Sequence, residues 1–198
     1  MAEKANLLHV FSPSFSFKNT NNIVFETSLN LFVGHKALQN NTIGLINSEL
    51  DIPISIDGLL QETNIRFQGF SASMSVGKLF KMSNYNKNSG LYGEFGLGFI
   101  QHKLKFDYEG TGVSQLEDPY VKGYDRLTNG LLISQFIGYR RYSNKNSFNY
   151  KFGIEINEGL TKNRRSWNYD AFGPITDSRI DFYYGLKMAI ILPFYGTN

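Results

Sequence analysis

The chain has 198 residues, a formal net charge of +3, 19 Gly, 17 Phe, 12 Tyr, one Trp and no Cys. That length fits a single domain spanning 1–198 with a full core of its own, and the absence of Cys excludes thiol catalysis, Cys-based zinc sites and a disulfide framework. The longest apolar run, Met188 to Phe194, falls far short of the ~18–20 residues of a membrane helix, and Met1-Ala-Glu-Lys does not read as a secretory leader.

Apolar residues recur with period two almost throughout, so the segments read as strands whose alternate side chains face opposite ways. Leu7–Phe17 sets Leu7, Phe11, Phe15 and Phe17 against Ser12, Ser14 and Ser16. Pro13 inside it is tolerable only near a sheet edge or a bulge. Ile23–His35 sets Ile23, Phe25, Leu29, Leu31 and Val33 against Val24, Glu26, Ser28 and Asn30. Lys36–Asn64 follows as a long polar loop. Ile52, Ile54 and Ile56 alternate within it, but Pro53 and the polar neighbours favour a loop over an extra strand. Arg66–Phe80 sets Phe70, Ala72, Met74 and Val76 against Ser71, Ser73, Ser75 and Gly77. Leu91–Phe106 sets Leu91, Phe95, Leu97 and Phe99 against Tyr92, Glu94, Gly96 and Gly98, and its polarity swaps after Phe99. The swap marks either a bulge or emergence from an apolar zone. Leu131–Tyr142 is ambiguous, with apolar residues on both faces. Phe148–Lys162 and Ile180–Phe194 alternate cleanly, the first with Asn149, Lys151, Glu155, Asn157 and Thr161 on its polar side, the second with Arg179, Asp181, Tyr183 and Lys187.

These strands exceed the ~5–6 residues usual in soluble domains and match tilted membrane-crossing strands. Short Asn/Ser/Lys-rich turns (Lys18–Asn22, Lys81–Ser89, Ser143–Ser147) alternate with long loops (Lys36–Asn64, Asp107–Asn129, Asn163–Ser178). Short connections at one end and long ones at the other are the layout of an outer-membrane barrel. Aromatics gather beside the short turns, where a girdle at one membrane interface belongs: Phe15, Phe17, Phe25, Phe80, Tyr92, Tyr139, Tyr142, Phe148, Tyr150, Phe194 and Tyr195. The expected fold is therefore all-β, an antiparallel up-and-down transmembrane barrel of the eight-stranded type. Seven strands are visible, and since such barrels have an even number, the sequence is expected to be N-terminally incomplete, lacking a first strand and an export signal.

The stretches Gly96-Leu-Gly-Phe-Ile-Gln-His-Lys, Lys122-Gly-Tyr-Asp-Arg-Leu-Thr-Asn-Gly, Gln135-Phe-Ile-Gly-Tyr, Glu158-Gly-Leu-Thr-Lys-Asn-Arg-Arg and Tyr184-Gly-Leu-Lys through Leu192-Pro-Phe-Tyr resemble small outer-membrane β-barrel proteins of the Bacteroidetes group. These belong to the broad OmpA/OmpW-like barrel class without a periplasmic domain. The likeness covers roughly residues 64 to 195. It implies a porin-like topology in the outer membrane of the cell envelope, and it carries no functional residues across.

Water and charge are excluded from a lipid-facing side, so chemistry is expected inside or in the loops. Glu26, Glu94, Lys151, Glu155, Arg179, Asp181 and Lys187 are expected to form a structural polar network in the lumen, with Asn30 and Arg66 as further candidates, because buried charges need partners and eight strands leave only enough room for side chains. His9, His35 and His102 lack metal-ligand spacing, so no metal, cofactor or catalytic set is expected. His102 stands near the outer rim, where an enzymatic alternative would place its site. In the loop after Lys162, Arg164, Arg165, Trp167 and Tyr169 could hold anionic lipopolysaccharide or an envelope protein, since Arg forks onto phosphate and stacks on rings. Dispersed basic residues and the lack of a recognition motif exclude nucleic acid. The expected role is an envelope structural or scaffold protein with a plugged interior. The alternatives are a soluble or periplasmic lipocalin-like ligand-binding barrel and a rim enzyme using His102.

Overall fold

The computed structural model describes residues 4–38, 53–82, 88–143 and 148–193. Among the described residues period-two alternation becomes eight strands: β1 (Lys4–Phe11), β2 (Ser14–Lys18), β3 (Ile23–Leu38), β4 (Thr63–Lys81), β5 (Ser89–Tyr108), β6 (Thr128–Arg141), β7 (Asn149–Asn163) and β8 (Ser178–Ile191). All neighbouring pairs are antiparallel, in the order β1-β3-β4-β5-β6-β7-β8, with β2 also on β3. Among the described residues the fold is all-β apart from three short 3-10 turns, a meander curled into a half-barrel of up-and-down topology.

β1 and β2 are one strand interrupted by Ser12-Pro13. Phe11 pairs with Leu31 and Ser14 with Ser28, the same register on either side of the break. Proline removes a donor from the ladder, and this edge position tolerates the loss. The Pro13 carbonyl still accepts the Leu29 N–H at 3.0 Å.

The sides separate as the alternation requires. Residues 24, 26, 28 and 30 of β3 are buried, whereas Phe25, Leu29, Leu31 and Val33 are exposed. Outward residues of successive strands line up in rows, such as Phe25–Val76–Phe95–Gln135–Ile156–Tyr184 and Leu29–Ala72–Phe99–Leu131–Leu160–Ile180. Beyond the second row the outward positions turn polar at Gln101, Lys103, Lys105 and Lys162.

That polar edge explains the swap after Phe99. The β4–β5 register runs unbroken from Thr63↔Tyr108 to Lys81↔Gly90, so no bulge intervenes. β5 leaves the apolar zone and turns Ile100, His102 and Leu104 inward. Strands β4 and β5 also extend further than the alternation alone suggests, taking in Asn64 and Tyr108. The segment considered as a hidden strand does not join the sheet: Ile54 bridges to Leu60 in a small turn, and Ile52 lies outside the described residues.

Of the aromatics beside the short turns, Phe15, Phe17, Phe25, Phe80 and Phe148 are exposed, and Tyr139, Tyr150 and Phe152 cluster with ring centroids 6.0–6.4 Å apart. Tyr92 is different. It points inward and is fully buried, and Gly77 makes room for it, since a Cβ there would meet the Tyr92 hydroxyl at 2.2 Å. Phe194 and Tyr195 lie outside the described residues.

Candidate functional site

The interior is layered. Nearest the short turns, β3, β5, β6 and β7 bring together Glu26, Glu94, Arg140 and Lys151. The Lys151 ammonium donates to Glu26 Oε1 at 2.5 Å and lies 3.4 Å from Glu94 Oε2, while Arg140 Nη1 donates to Glu26 Oε2 at 3.2 Å. Arg140 Nη2 donates to Ser16 at 2.8 Å, and Ser75 Oγ donates to Glu94 Oε1 at 2.5 Å. The guanidinium also sits 5.0 Å from the Tyr92 ring centroid and 5.1 Å from that of Tyr142, and Lys151 lies 5.2 Å from that of Phe136. Two acids and two bases cancel, and rings supply further cation–π contact. Glu26, Arg140 and Lys151 are each no more than 3% exposed. Such desolvated charges persist only with partners of this quality.

The strand stagger puts these groups opposite one another. Following hydrogen-bonded neighbours from Glu26 across the sheet leads to Asn157 on β7, yet the carboxylate reaches Lys151, six positions further toward the short turns. Tilted strands in a curled sheet produce that offset.

Above this layer Ser28 bonds Ser73 at 2.9 Å and Asn30 Nδ2 donates to Ser71 at 3.0 Å. Next comes an apolar plug of Phe32, Ile100 and Leu132, with Leu8, Phe67 and Tyr183 against it. Higher still, His102 Nε2 pairs with Asp181 Oδ2 at 2.8 Å, Thr161 donates to the same oxygen at 2.6 Å, and Arg179 Nε lies 3.0 Å from Asp181 Oδ1. Phe67 covers the imidazole, its centroid 4.6 Å away.

The long-loop end is capped by the segments after β5 and β7. Val113, Leu116 and Tyr124 form a small core with Phe106, Tyr108 and Tyr169. Arg165 forks onto the Asp125 carboxylate, Arg126 pairs with Asp170, and Arg164 Nε donates to Asn129 at 2.6 Å. Tyr169 stacks on Tyr124 with centroids 4.6 Å apart, and burial, then the neighbouring Tyr169, push the Tyr124 hydroxyl above its ordinary pKa.

Of the residues singled out from the sequence, Glu26, Glu94 and Lys151 therefore meet in one network. Glu155 and Lys187 form their own pair at 2.5 Å, and Arg179 and Asp181 join His102 near the rim. Arg66 pairs with Asp107 at 2.7 Å outside the lumen. Arg164, Arg165 and Tyr169 are engaged in the loop cap, whereas Trp167 is half-exposed. Arg140 escaped the sequence reading because β6 is apolar on both faces. Nothing in the sequence separates Arg140 from the adjacent Arg141, and the burial of Leu132, Phe136 and Arg140 in the structure is what assigns that side to the lumen.

The rim group pairs a histidine with a carboxylate. Among the described residues no hydroxyl bonds His102, and Thr161 donates to the carboxylate instead. Among the described residues no cluster of three His, Asp or Glu is placed to hold a metal ion. No helix among them is long and apolar enough to cross a membrane, which has no bearing on crossing by strands. No family model, curated protein or solved structure matches the chain.

Proposed function

We propose that the chain is an integral outer-membrane β-barrel whose polar, plugged interior makes it an envelope structural or scaffold protein. One observation carries this reading: the outward side of β3 to β8 is a predominantly apolar belt, interrupted at Gln135 and Glu158. Leu29, Met74, Leu97, Leu131, Ile154 and Ile180 all stand 42–72% exposed on it. A soluble monomer rarely exposes an apolar patch larger than a few hundred square ångströms.

The belt has the right height for a bilayer. Along β7 it runs from Tyr150 to Leu160. Ten steps at ~3.4 Å, projected through a ~40° strand tilt, give ~26 Å, against the ~25 Å apolar band of outer-membrane barrels. The ring cluster of Tyr139, Tyr150 and Phe152 sits at one edge of the belt, and Lys103, Lys105 and Lys162 mark the other. A lipocalin-like cavity would need these apolar side chains inside. In this fold the inside is filled by an ion network, an apolar plug and a loop cap.

Lipid would be the principal partner, and the half-exposed Trp167 on the rim is the contact point offered to lipopolysaccharide or an envelope protein. The test is expression behind an export signal followed by membrane flotation and gel migration with and without heating. Co-flotation with outer membranes and a heat-dependent shift are expected. A chain that stays in the soluble fraction, folded and monomeric, overturns the reading.

A further inference from the structure

The sheet has two free edges. β1–β2 pairs with β3 and β8 with β7, and among the described residues no ladder joins β8 to β1 or β2. Between these edges runs a groove of about 1630 Å³ that opens onto the lumen, lined by Phe11, Phe15 and Ser16 on one side and by Tyr183, Leu186 and Lys187 on the other. We propose that this groove is a docking site for one extended polypeptide strand from outside the described residues, antiparallel to both edges.

Strand direction argues for one strand and against direct closure. β2 leads into a short turn and β8 follows a long loop, so both run from the long-loop end to the short-turn end. Joining them directly, or joining β8 to the β1–β2 edge of a second copy set alongside in the same membrane orientation, would make a parallel ladder. Every ladder in this sheet is antiparallel. One inserted strand restores that pattern on both sides and brings the staves to an even number. Open edges otherwise expose unpaired N–H and C=O groups, which no hydrocarbon solvent can satisfy.

The walls specify the strand's chemistry. Outward side chains beside the groove are apolar: Phe11, Phe15 and Phe17 on one edge and Leu186, Met188 and Ile190 on the other, each at least 64% exposed. Inward, the acids Glu26, Glu94 and Glu155 are already matched by Arg140, Lys151 and Lys187. Those acids need no further partner, and Lys18 at the short-turn end of the wall donates to the Asn88 amide oxygen at 3.1 Å, so inward positions of the guest should be small and uncharged, Ser, Thr, Gly or Asn. Roughly 11 residues of strict alternation suffice to cross the belt.

The absence of Cys from the chain gives a clean test. The full chain carrying Phe15→Cys or Leu186→Cys is refolded in detergent with a synthetic peptide of about 11 residues that alternates Leu/Val with Ser/Thr and carries one Cys at an apolar position. Two controls have the same composition, one in blocks and one with a central Pro. Disulfide capture of the alternating peptide at both edges, several-fold above either control, is expected. Folding that depends on that peptide also counts for the proposal. Equal capture of the controls, or none by a folded chain, overturns it. So does a Phe15→Cys/Leu186→Cys bridge formed within one chain or between two. The outcome is independent of the membrane reading: strand capture without flotation leaves this inference standing, and flotation without capture removes it alone.

Discussion

At the residue scale the decisive groups are Lys151 and the carboxylates it joins. Replacing Lys151 by Met removes the ammonium that Glu26 and Glu94 share, leaving Arg140 on Glu26 and the Ser75 hydroxyl on Glu94. Breaking one side of a buried ion pair costs ~3–5 kcal/mol, so the urea midpoint of Lys151→Met should fall steeply. Adding Glu26→Gln should recover part of the loss, which a double-mutant cycle would measure. Glycines give a second contrast. Gly93 faces outward with open space where a Cβ would sit, whereas a Cβ on inward Gly98 would meet the Ala72 carbonyl oxygen at 2.2 Å. Gly93→Leu should therefore fold with an unchanged melting temperature, and Gly98→Leu should not fold. The inward placement of Glu26, Lys151 and Glu155 was legible from parity alone. The meeting of His102 with Asp181 was not, because it depends on how far β5 and β8 are staggered around the curled sheet, and no local pattern encodes that distance.

At the scale of single elements, the edge strand shows what one proline does. Pro13 stands opposite Leu29 in a hydrogen-bonded position, accepting one bond and unable to return the other. Pro13→Val restores a donor to the ladder. It should fuse β1 and β2 and raise stability by about 0.5–1.5 kcal/mol, seen as a higher unfolding midpoint. It would also lengthen an uninterrupted edge, so more aggregation during refolding is expected. The position of this proline was readable in advance as an edge feature. β6 was not readable in the same way. Its outward Ile133 and Ile137 join the apolar belt, while its inward Leu132 belongs to the plug and Phe136 packs with Val24, Leu79 and Tyr92 beside the ion network, and a strand apolar on both faces has no parity to read. The loop cap also lay beyond sequence reading. Arg164, Arg165 and Tyr169 look like a free basic-aromatic cluster until Asp125, Asn129 and Tyr124, about 35 to 45 positions away, close onto them.

For the whole molecule, stability depends on which solvent the outer side meets. Ile154 stands in the belt between Ile137 and Leu186. Ile154→Arg should lower membrane stability by ~2–4 kcal/mol, most sensitively in a urea titration in lipid vesicles. An unchanged midpoint would contradict a lipid-facing belt. The all-β class, the antiparallel up-and-down order and the two unlike ends were foreseeable, because length, alternation and loop asymmetry act over the entire chain. The layering of the lumen was foreseeable only in its polar floor. Its apolar plug joins Phe32 of β3 and Leu132 of β6 to Ile100 of β5, which lies beyond Phe99, where residues change environment without any change of register.

The half-exposed side chain at position 167 has a practical corollary, since it is the sole indole in the sequence. Its fluorescence comes from one known place, at the long-loop rim and apart from the lumen. A blue shift on adding lipopolysaccharide, with no change on adding short-chain phospholipid, would report a binding event at that rim without any label being attached.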